Sequence, residues 1–203
     1  MRSLEYYFTG GIYETGKSMH KLSSFGKIYE DVFKRFRNTN VTLLEIGISA
    51  GACLQLWRDY LGANANIYGA DICEGALYNE ERIRCFRCDV ADKESLIKLM
   101  NEVGTVDIII DDASHICSDQ ILTFETLFPM INENGIYLCE DTHTSYRRSY
   151  GGGYLREGTF VEYCKSLIDS MYFTEGQNIQ RHMFTDTIQS ITFYPSLVMI
   201  KHV

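Results

Sequence analysis

Leu44-Glu45-Ile46-Gly47-Ile48-Ser49-Ala50-Gly51 is the stretch that decides the fold. The apolar run Val41–Ile46 predicts a strand, and the residues from Cys53 to Tyr60 have helical spacing. Between them lies a glycine-bearing turn. Gly47 and Gly51 let a backbone approach a ligand closely. Their spacing is G-x-x-x-G, whereas the dinucleotide fingerprint G-x-G-x-x-G needs glycine where this chain has Ser49 and Ala52. A pyrophosphate cofactor is therefore disfavoured, and oxidoreduction with it. A phosphate-free ligand such as S-adenosylmethionine (SAM) needs only close backbone approach.

Downstream, apolar runs alternate with helical patterns. Strands are predicted at Ile67–Ala70, Arg82–Arg87, Val106–Ile110 and Gly135–Cys139, with helices at Lys93–Met100 and Asp119–Phe128. Near-continuous apolar strands separated by helices imply a parallel sheet covered on both faces. A helix returns at Thr159–Met171. The runs Ile188–Tyr194 and Leu197–His202, split by Pro195-Ser196, read as a closing hairpin. Upstream, residues 1–24 read as a loop-rich cap, and Phe25–Phe36 has helical spacing. The polar stretch 142–158, with Gly151-Gly152-Gly153, reads as a long functional or mobile loop, either a lid over substrate or a disordered surface loop.

The 203 residues suit one domain with a short extra segment, large enough to bury roughly 70% of the unfolded surface. The net charge of -8 and the lack of a basic stripe argue against nucleic acid, whose affinity rests on Lys and Arg. Lys34, Arg35 and Arg37 read as a solvated helix end. No apolar run reaches ~18 residues and the N-terminus opens no leader pattern, so the expectation is a cytoplasmic protein without a membrane segment. The seven cysteines are an odd number. Cys85 and Cys88 form one Cys-x-x-Cys on a predicted strand, which points them to opposite faces, so reduced structural thiols are expected rather than zinc.

Four successive strands end in acid. Asp71 follows the glycine turn by about 20 residues, where an acid can accept from both ribose hydroxyls. Asp89 ends the third strand, beside Val90, and is placed to accept from an adenine amino group. Helix capping is the plain alternative for these acids. Glu45 lies inside a buried strand, where charge is costly unless paired. Backbone, cofactor or a purely structural group can all supply that pairing. Glu45, Gly47, Ser49, Gly51, Asp71, Asp89, Val90 and Asp111 make up the cofactor-side candidates.

Asp111-Asp112-Ala113-Ser114-His115 and Glu140-Asp141-Thr142-His143 each follow an apolar run. If those strands are neighbours, their carboxylates meet. Asp111 and Asp112 point to opposite faces, which makes Asp112 the better metal candidate. Mg²⁺ prefers oxygen ligands and keeps positions open for substrate. His115 suits the role of general base, since imidazole takes a proton near neutral pH, and His143 is the alternative. His143, Tyr146 and the Arg147–Tyr154 stretch are candidates for the substrate pocket. Alone, Asp111 and Asp112 read better as caps of the next helix, with His115 in its first turn; Glu140-Asp141 on the adjacent strand end is what favours a metal.

With these motifs the chain resembles class I SAM-dependent methyltransferases. The likeness is greatest to the metal-dependent O-methyltransferases of macrolide sugars and the related cephalosporin hydroxylase-like sequences. The resemblance spans roughly residues 12–202 and rests on Leu43–Gly51, Leu56-Trp57-Arg58-Asp59-Tyr60, Tyr68-Gly69-Ala70-Asp71, the Asp-Asp-x-Ser-His motif and Glu140–Tyr146. It implies a Rossmann-like α/β fold with a seven-stranded, mostly parallel sheet of order 3-2-1-4-5-7-6. It divides the chain into an N-terminal cap and helix (1–40) and a methyltransferase domain (41–203). It further implies Asp112, Glu140 and Asp141 as magnesium ligands, His115 as base, SAM as methyl donor, and a sugar or nucleotide-sugar-like small molecule as acceptor. A homo-oligomer is left open. Two other functions stay open at this stage: methyl transfer to a non-sugar, catechol-like acceptor, and a non-catalytic SAM-binding module.

Overall fold

The computed structural model describes residues 3–8, 21–176 and 178–203. Part of the expected N-terminal cap, and the first residues of the resemblance, lie outside the described residues. The chain forms two compact units, Met1–Cys88 and Asp89–Val203.

In the first unit, α1 (Leu4–Phe8) and α2 (Phe25–Phe33) precede β1 (Thr42–Ile46), α3 (Ala52–Leu61), β2 (Asn66–Asp71), β3 (Asn79–Glu80) and β4 (Ile83–Arg87). β1, β2 and β4 run parallel, with Leu44 opposite Tyr68 and Ala70 opposite Phe86. The apolar positions Phe25, Tyr29 and Phe33 recur every fourth residue, so α2 buries one face. That face packs on Trp57 of α3, whose ring lies 5.1 Å from Tyr29 and 5.2 Å from Phe33. A buried indole N–H needs an acceptor. Trp57 Nε1 donates to Glu45 Oε2 at 3.0 Å, and Glu45 Oε1 meets Lys21 Nζ at 2.7 Å. The pair is sealed from water, each side chain 1% exposed.

In the second unit, α4 (Lys93–Val103), β5 (Val106–Asp111), α5 (Cys117–Leu127), β6 (Ile131–Glu140), α6 (Phe160–Ser170), β7 (Ile188–Tyr194) and β8 (Leu197–His202) follow in order. β5 and β6 are parallel, while β8 is antiparallel to both β6 and β7. Asp92 caps α4 by accepting from Glu94 N, and Thr159 caps α6 by accepting from Glu162 N. The core centres on Phe124, whose ring stands 4.8 Å from Phe128, 5.2 Å from Tyr137 and 5.3 Å from Phe184.

The eight strands make one mixed sheet in the order β3-β4-β2-β1-β5-β6-β8-β7. This corrects the expected seven-stranded sheet of order 3-2-1-4-5-7-6. The difference lies in β3, two exposed polar residues paired antiparallel to β4. So short a segment has no alternation to read, and its insertion renumbers every later strand. Between β6 and α6 the expected long loop is built from two 3-10 turns, Thr142–Tyr146 and Arg148–Tyr150. The glycine run closes back on them. Gly152 N–H donates to Arg147 O at 2.9 Å and Gly153 N–H to Ser145 O at 2.8 Å. A Cβ on Gly152 would sit 2.3 Å from Thr144 O, so only glycine fits that approach.

Lys21→Met removes the counter-cation of a buried carboxylate that keeps its Trp57 bond, and is expected to cost about 3–5 kcal/mol. Adding Glu45→Gln in the same chain removes the carboxylate's charge and recovers most of that loss. Urea unfolding of the three proteins measures the effect, and an unchanged midpoint for Lys21→Met would refute it.

Candidate active site

The turn after β1 alternates into the left-handed region, with φ +85° at Gly47, +49° at Ser49 and +79° at Gly51. A side chain at Gly51 has no room, since its Cβ would lie 2.2 Å from Tyr78 Cε1. Tyr78 donates its hydroxyl to Gly51 O at 2.7 Å. At the end of β2, Asp71 Oδ2 accepts from the backbone N–H groups of Ile48 (3.0 Å) and Ser49 (3.2 Å), and Oδ1 accepts from Cys73 N–H (2.9 Å). The acid expected at the cofactor thus also holds the turn's shape. Glu45 finds its partners in Lys21 and Trp57. In the second unit, Asp89 is half-buried and its Oδ1 accepts from Ala91 N–H at 3.0 Å, while Val90 is buried.

The chemistry-bearing residues of the second unit gather at the ends of β5 and β6. The parallel register sets Asp111, the last residue of β5, opposite Cys139, so Asp112 just beyond β5 lies alongside Glu140, the last residue of β6. Carboxylate oxygens of Asp112 and Asp141 and a ring nitrogen of His115 all lie within 4.8 Å of one another, and Asp112 and Glu140 come equally close. Helix capping does not account for Asp112, because α5 starts at Cys117 with Ile116 at its cap position, and Asp141, at the cap position of the Thr142–Tyr146 turn, makes no capping bond with its side chain. Instead the Ser114 hydroxyl bonds Asp119 Oδ2 at 2.7 Å and accepts from Ile116 N–H at 3.2 Å, folding the chain between Asp112 and the helix.

His115 and Asp141 both carry positive φ, +59° and +52°. Non-glycine residues there store strain, a feature that concentrates at functional sites. Thr144, which the sequence pattern did not single out, fastens both: its Oγ1 lies 2.8 Å from His115 O and 2.9 Å from Asp141 O. His115 Nε2 faces Asp141 Oδ2 at 3.5 Å, and His143 Nδ1 faces Asp141 Oδ1 at 3.7 Å. His115 Nδ1 is buried without a hydrogen-bond partner among the described residues, an unfilled capacity that a site awaiting a ligand explains. Tyr146 is 53% exposed beside these residues in the first 3-10 turn. The oxygen-rich donor set fits a hard divalent cation such as Mg²⁺, with the imidazole left for proton transfer.

Asp111 turns the other way. It is buried, and Tyr137 donates its hydroxyl to Asp111 Oδ2 at 2.9 Å. Burial pushes its carboxyl up to about 7, against the opposing pull of the Tyr137 hydroxyl and the Ala113 N–H. Burial likewise raises the Cys139 thiol well above its ordinary range.

No protein-family model matches the chain. Among curated relatives, the 8-demethyl-8-alpha-L-rhamnosyl tetracenomycin-C 2'-O-methyltransferase of Streptomyces olivaceus is 32% identical over 200 residues, covering 92% of this chain and 52% of that one. The mycinamicin VI 2''-O-methyltransferase of Micromonospora griseorubida is 34% identical over 157 residues, 72% of this chain and 39% of that one. The chain thus spans about half the length of the curated relatives it matches. The MycE methyltransferase solved in complex with Mg, SAH and mycinamycin VI superposes with a TM-score of 0.86 at 29% identity, over 99% of this chain and 53% of that one. An O-methyltransferase from Bacillus cereus, at 14% identity and a TM-score of 0.57, shares the fold. The architecture is the Rossmann-like fold of class I SAM-dependent methyltransferases. Within that class the chain belongs to the MycE-like family, closely related to the macrolide and sugar O-methyltransferases.

The buried acid predicts a pH dependence. Folding raises the Asp111 carboxyl from its ordinary value of 3.8 to about 7, so the native state keeps a proton that the unfolded chain has lost. Its contribution to stability is complete below the unfolded value and disappears as pH rises through the folded one. Asp111→Asn keeps an acceptor for Tyr137 and removes this component. Denaturant unfolding of both metal-free proteins across that range measures it, and pH profiles of identical slope would reject it.

Proposed function

We propose that this chain is a Mg²⁺-dependent, SAM-dependent O-methyltransferase that methylates a hydroxyl of a sugar-bearing small molecule in the cytoplasm. The observation that carries the reading is the gathering of Asp112, His115 and Asp141 at adjacent strand ends, with Glu140 beside Asp112. The kinship with sugar O-methyltransferases and with the Mg- and SAH-bound MycE supports it. The seven unbridged cysteines support a reducing compartment. The acidic balance of -8 supports a small-molecule acceptor over a nucleic acid.

Magnesium, when bound, orders the acceptor's hydroxyl and eases loss of its proton. Asp112, Glu140 and Asp141 would hold it, their oxygens matching its preference for hard donors. His115 Nε2 takes the proton, and the Asp141 carboxylate facing that nitrogen stabilises the imidazolium formed. The glycine turn and Asp71 would hold SAM, the turn by close backbone approach and the acid by accepting from hydroxyls. The acceptor oxygen forms a bond to the methyl carbon as the S–CH₃ bond breaks, releasing S-adenosylhomocysteine. The left-handed backbone at His115 and Asp141 fixes both side chains before substrate arrives, which places reactants without further ordering cost. Tyr146 and His143 face the acceptor.

Turnover on a panel of rhamnosyl and deoxysugar glycosides, followed by S-adenosylhomocysteine release, tests the reading. Activity is expected to vanish in EDTA and return with Mg²⁺. Asp112→Ala is expected to abolish the magnesium response while calorimetry shows unchanged SAM affinity; full activity would remove Asp112 from the site. His115→Gln is expected to lower kcat by about 10²–10⁴, and a wild-type rate would dismiss it as the base.

A further inference from the structure

The closing hairpin reaches this site through a residue to which the reaction above gives no role. β6 and β8 are antiparallel, with Glu140 opposite Leu197. One step further along that ladder sets Asp141 opposite Ser196. There both chains leave the sheet, with φ +52° at Asp141 and +65° at Ser196, and Thr142 N–H donates to Ser196 O at 3.1 Å. The Ser196 hydroxyl lies 3.1 Å from His143 Nδ1. That same nitrogen lies 3.7 Å from Asp141 Oδ1, while Asp141 Oδ2 faces His115. Each oxygen of the Asp141 carboxylate therefore faces one imidazole.

We propose that Ser196 is a positioning residue for Asp141, acting through His143. The inference rests on the reading of Asp141 as a metal ligand. At 3.7 Å the His143–Asp141 contact is too long for a hydrogen bond, so it cannot by itself hold the ring. The bond to Ser196 is what fixes the imidazole. A proton on Nδ1 then points between two acceptors, the serine oxygen and the carboxylate, and this selects the Nδ1–H tautomer. The fixed ring stands beside Oδ1 at 3.7 Å and, by bulk and by the dipole of its N–H rather than by a hydrogen bond, limits rotation of the carboxylate about its χ2 axis. Outer partners of this kind orient metal-binding carboxylates, and losing one typically costs 10–100-fold in metal affinity or activity. The backbone bond from Thr142 to Ser196 keeps the brace in register with the strand end it supports.

The test uses Mn²⁺ as the probe, its binding followed by electron paramagnetic resonance without SAM or acceptor. Ser196→Gly removes the hydroxyl and suits the left-handed backbone, so the fold is not strained. Its Mn²⁺ affinity is expected to fall by about tenfold, with SAM affinity and unfolding midpoint as in the parent. Ser196→Asn, which tolerates the same backbone and keeps a polar group, is expected to restore most of the affinity. In a His143→Ala background, Ser196→Gly is expected to add nothing, because the route is already cut. Parental Mn²⁺ affinity in Ser196→Gly, or additive losses in the double variant, overturns the proposal. A parent protein that binds no Mn²⁺ sinks the metal reading itself and this inference with it, so the two failures are distinguishable.

Discussion

The parallel register of β5 against β6 is the constraint from which the acid cluster follows. With Asp111 opposite Cys139, β6 runs one residue past β5, so Asp112 beyond β5 comes level with Glu140, the last residue of β6, and Asp141 follows it. A slip by one residue would turn each side chain to the opposite face. Asp112 would then enter the apolar interior that Asp111 now occupies with Tyr137. The gathering of these acids is therefore a by-product of strand packing. Ile108, Ile109 and Ile110, fully buried, pair with Ile136, Tyr137 and Leu138, and this ladder sets where the acids stand.

The glycine turn illustrates a second dependence. Its left-handed residues are costly for a chain with side chains, and three groups hold them. Asp71 takes two backbone N–H groups, Tyr78 covers Gly51, and Gly47 N–H donates to Ala70 O. A turn whose donors are already organised has less freedom to lose when a ligand arrives. The acid that binds the turn and the acid expected at the ribose are one residue, which couples the turn's shape to whatever occupies it.

Much of this is legible in the chain because its signals are local. The closing hairpin lies where alternation and Pro195-Ser196 place it, and the acid-ended strands stand where apolar runs stop. What is not legible depends on partners distant in sequence. Tyr137 is 26 residues from Asp111, and Ser196 is 53 from His143. No spacing rule connects such pairs before the sheet is assembled. The Glu45 partner belongs to the same class, since Lys21 sits in a stretch without periodicity. The two-residue β3 fails for a different reason: below a few residues, strand pairing leaves no pattern in composition.

That small strand has a consequence for how copies of the chain meet. A sheet margin normally offers a row of unsatisfied amide and carbonyl groups to any passing peptide. Here the outermost strand, β3, is two residues long and polar, and includes the carboxylate of Glu80, which Arg58 and Gln55 already engage. So short a segment gives a neighbouring chain little backbone to pair with, and contacts made at β3 itself fall to side chains.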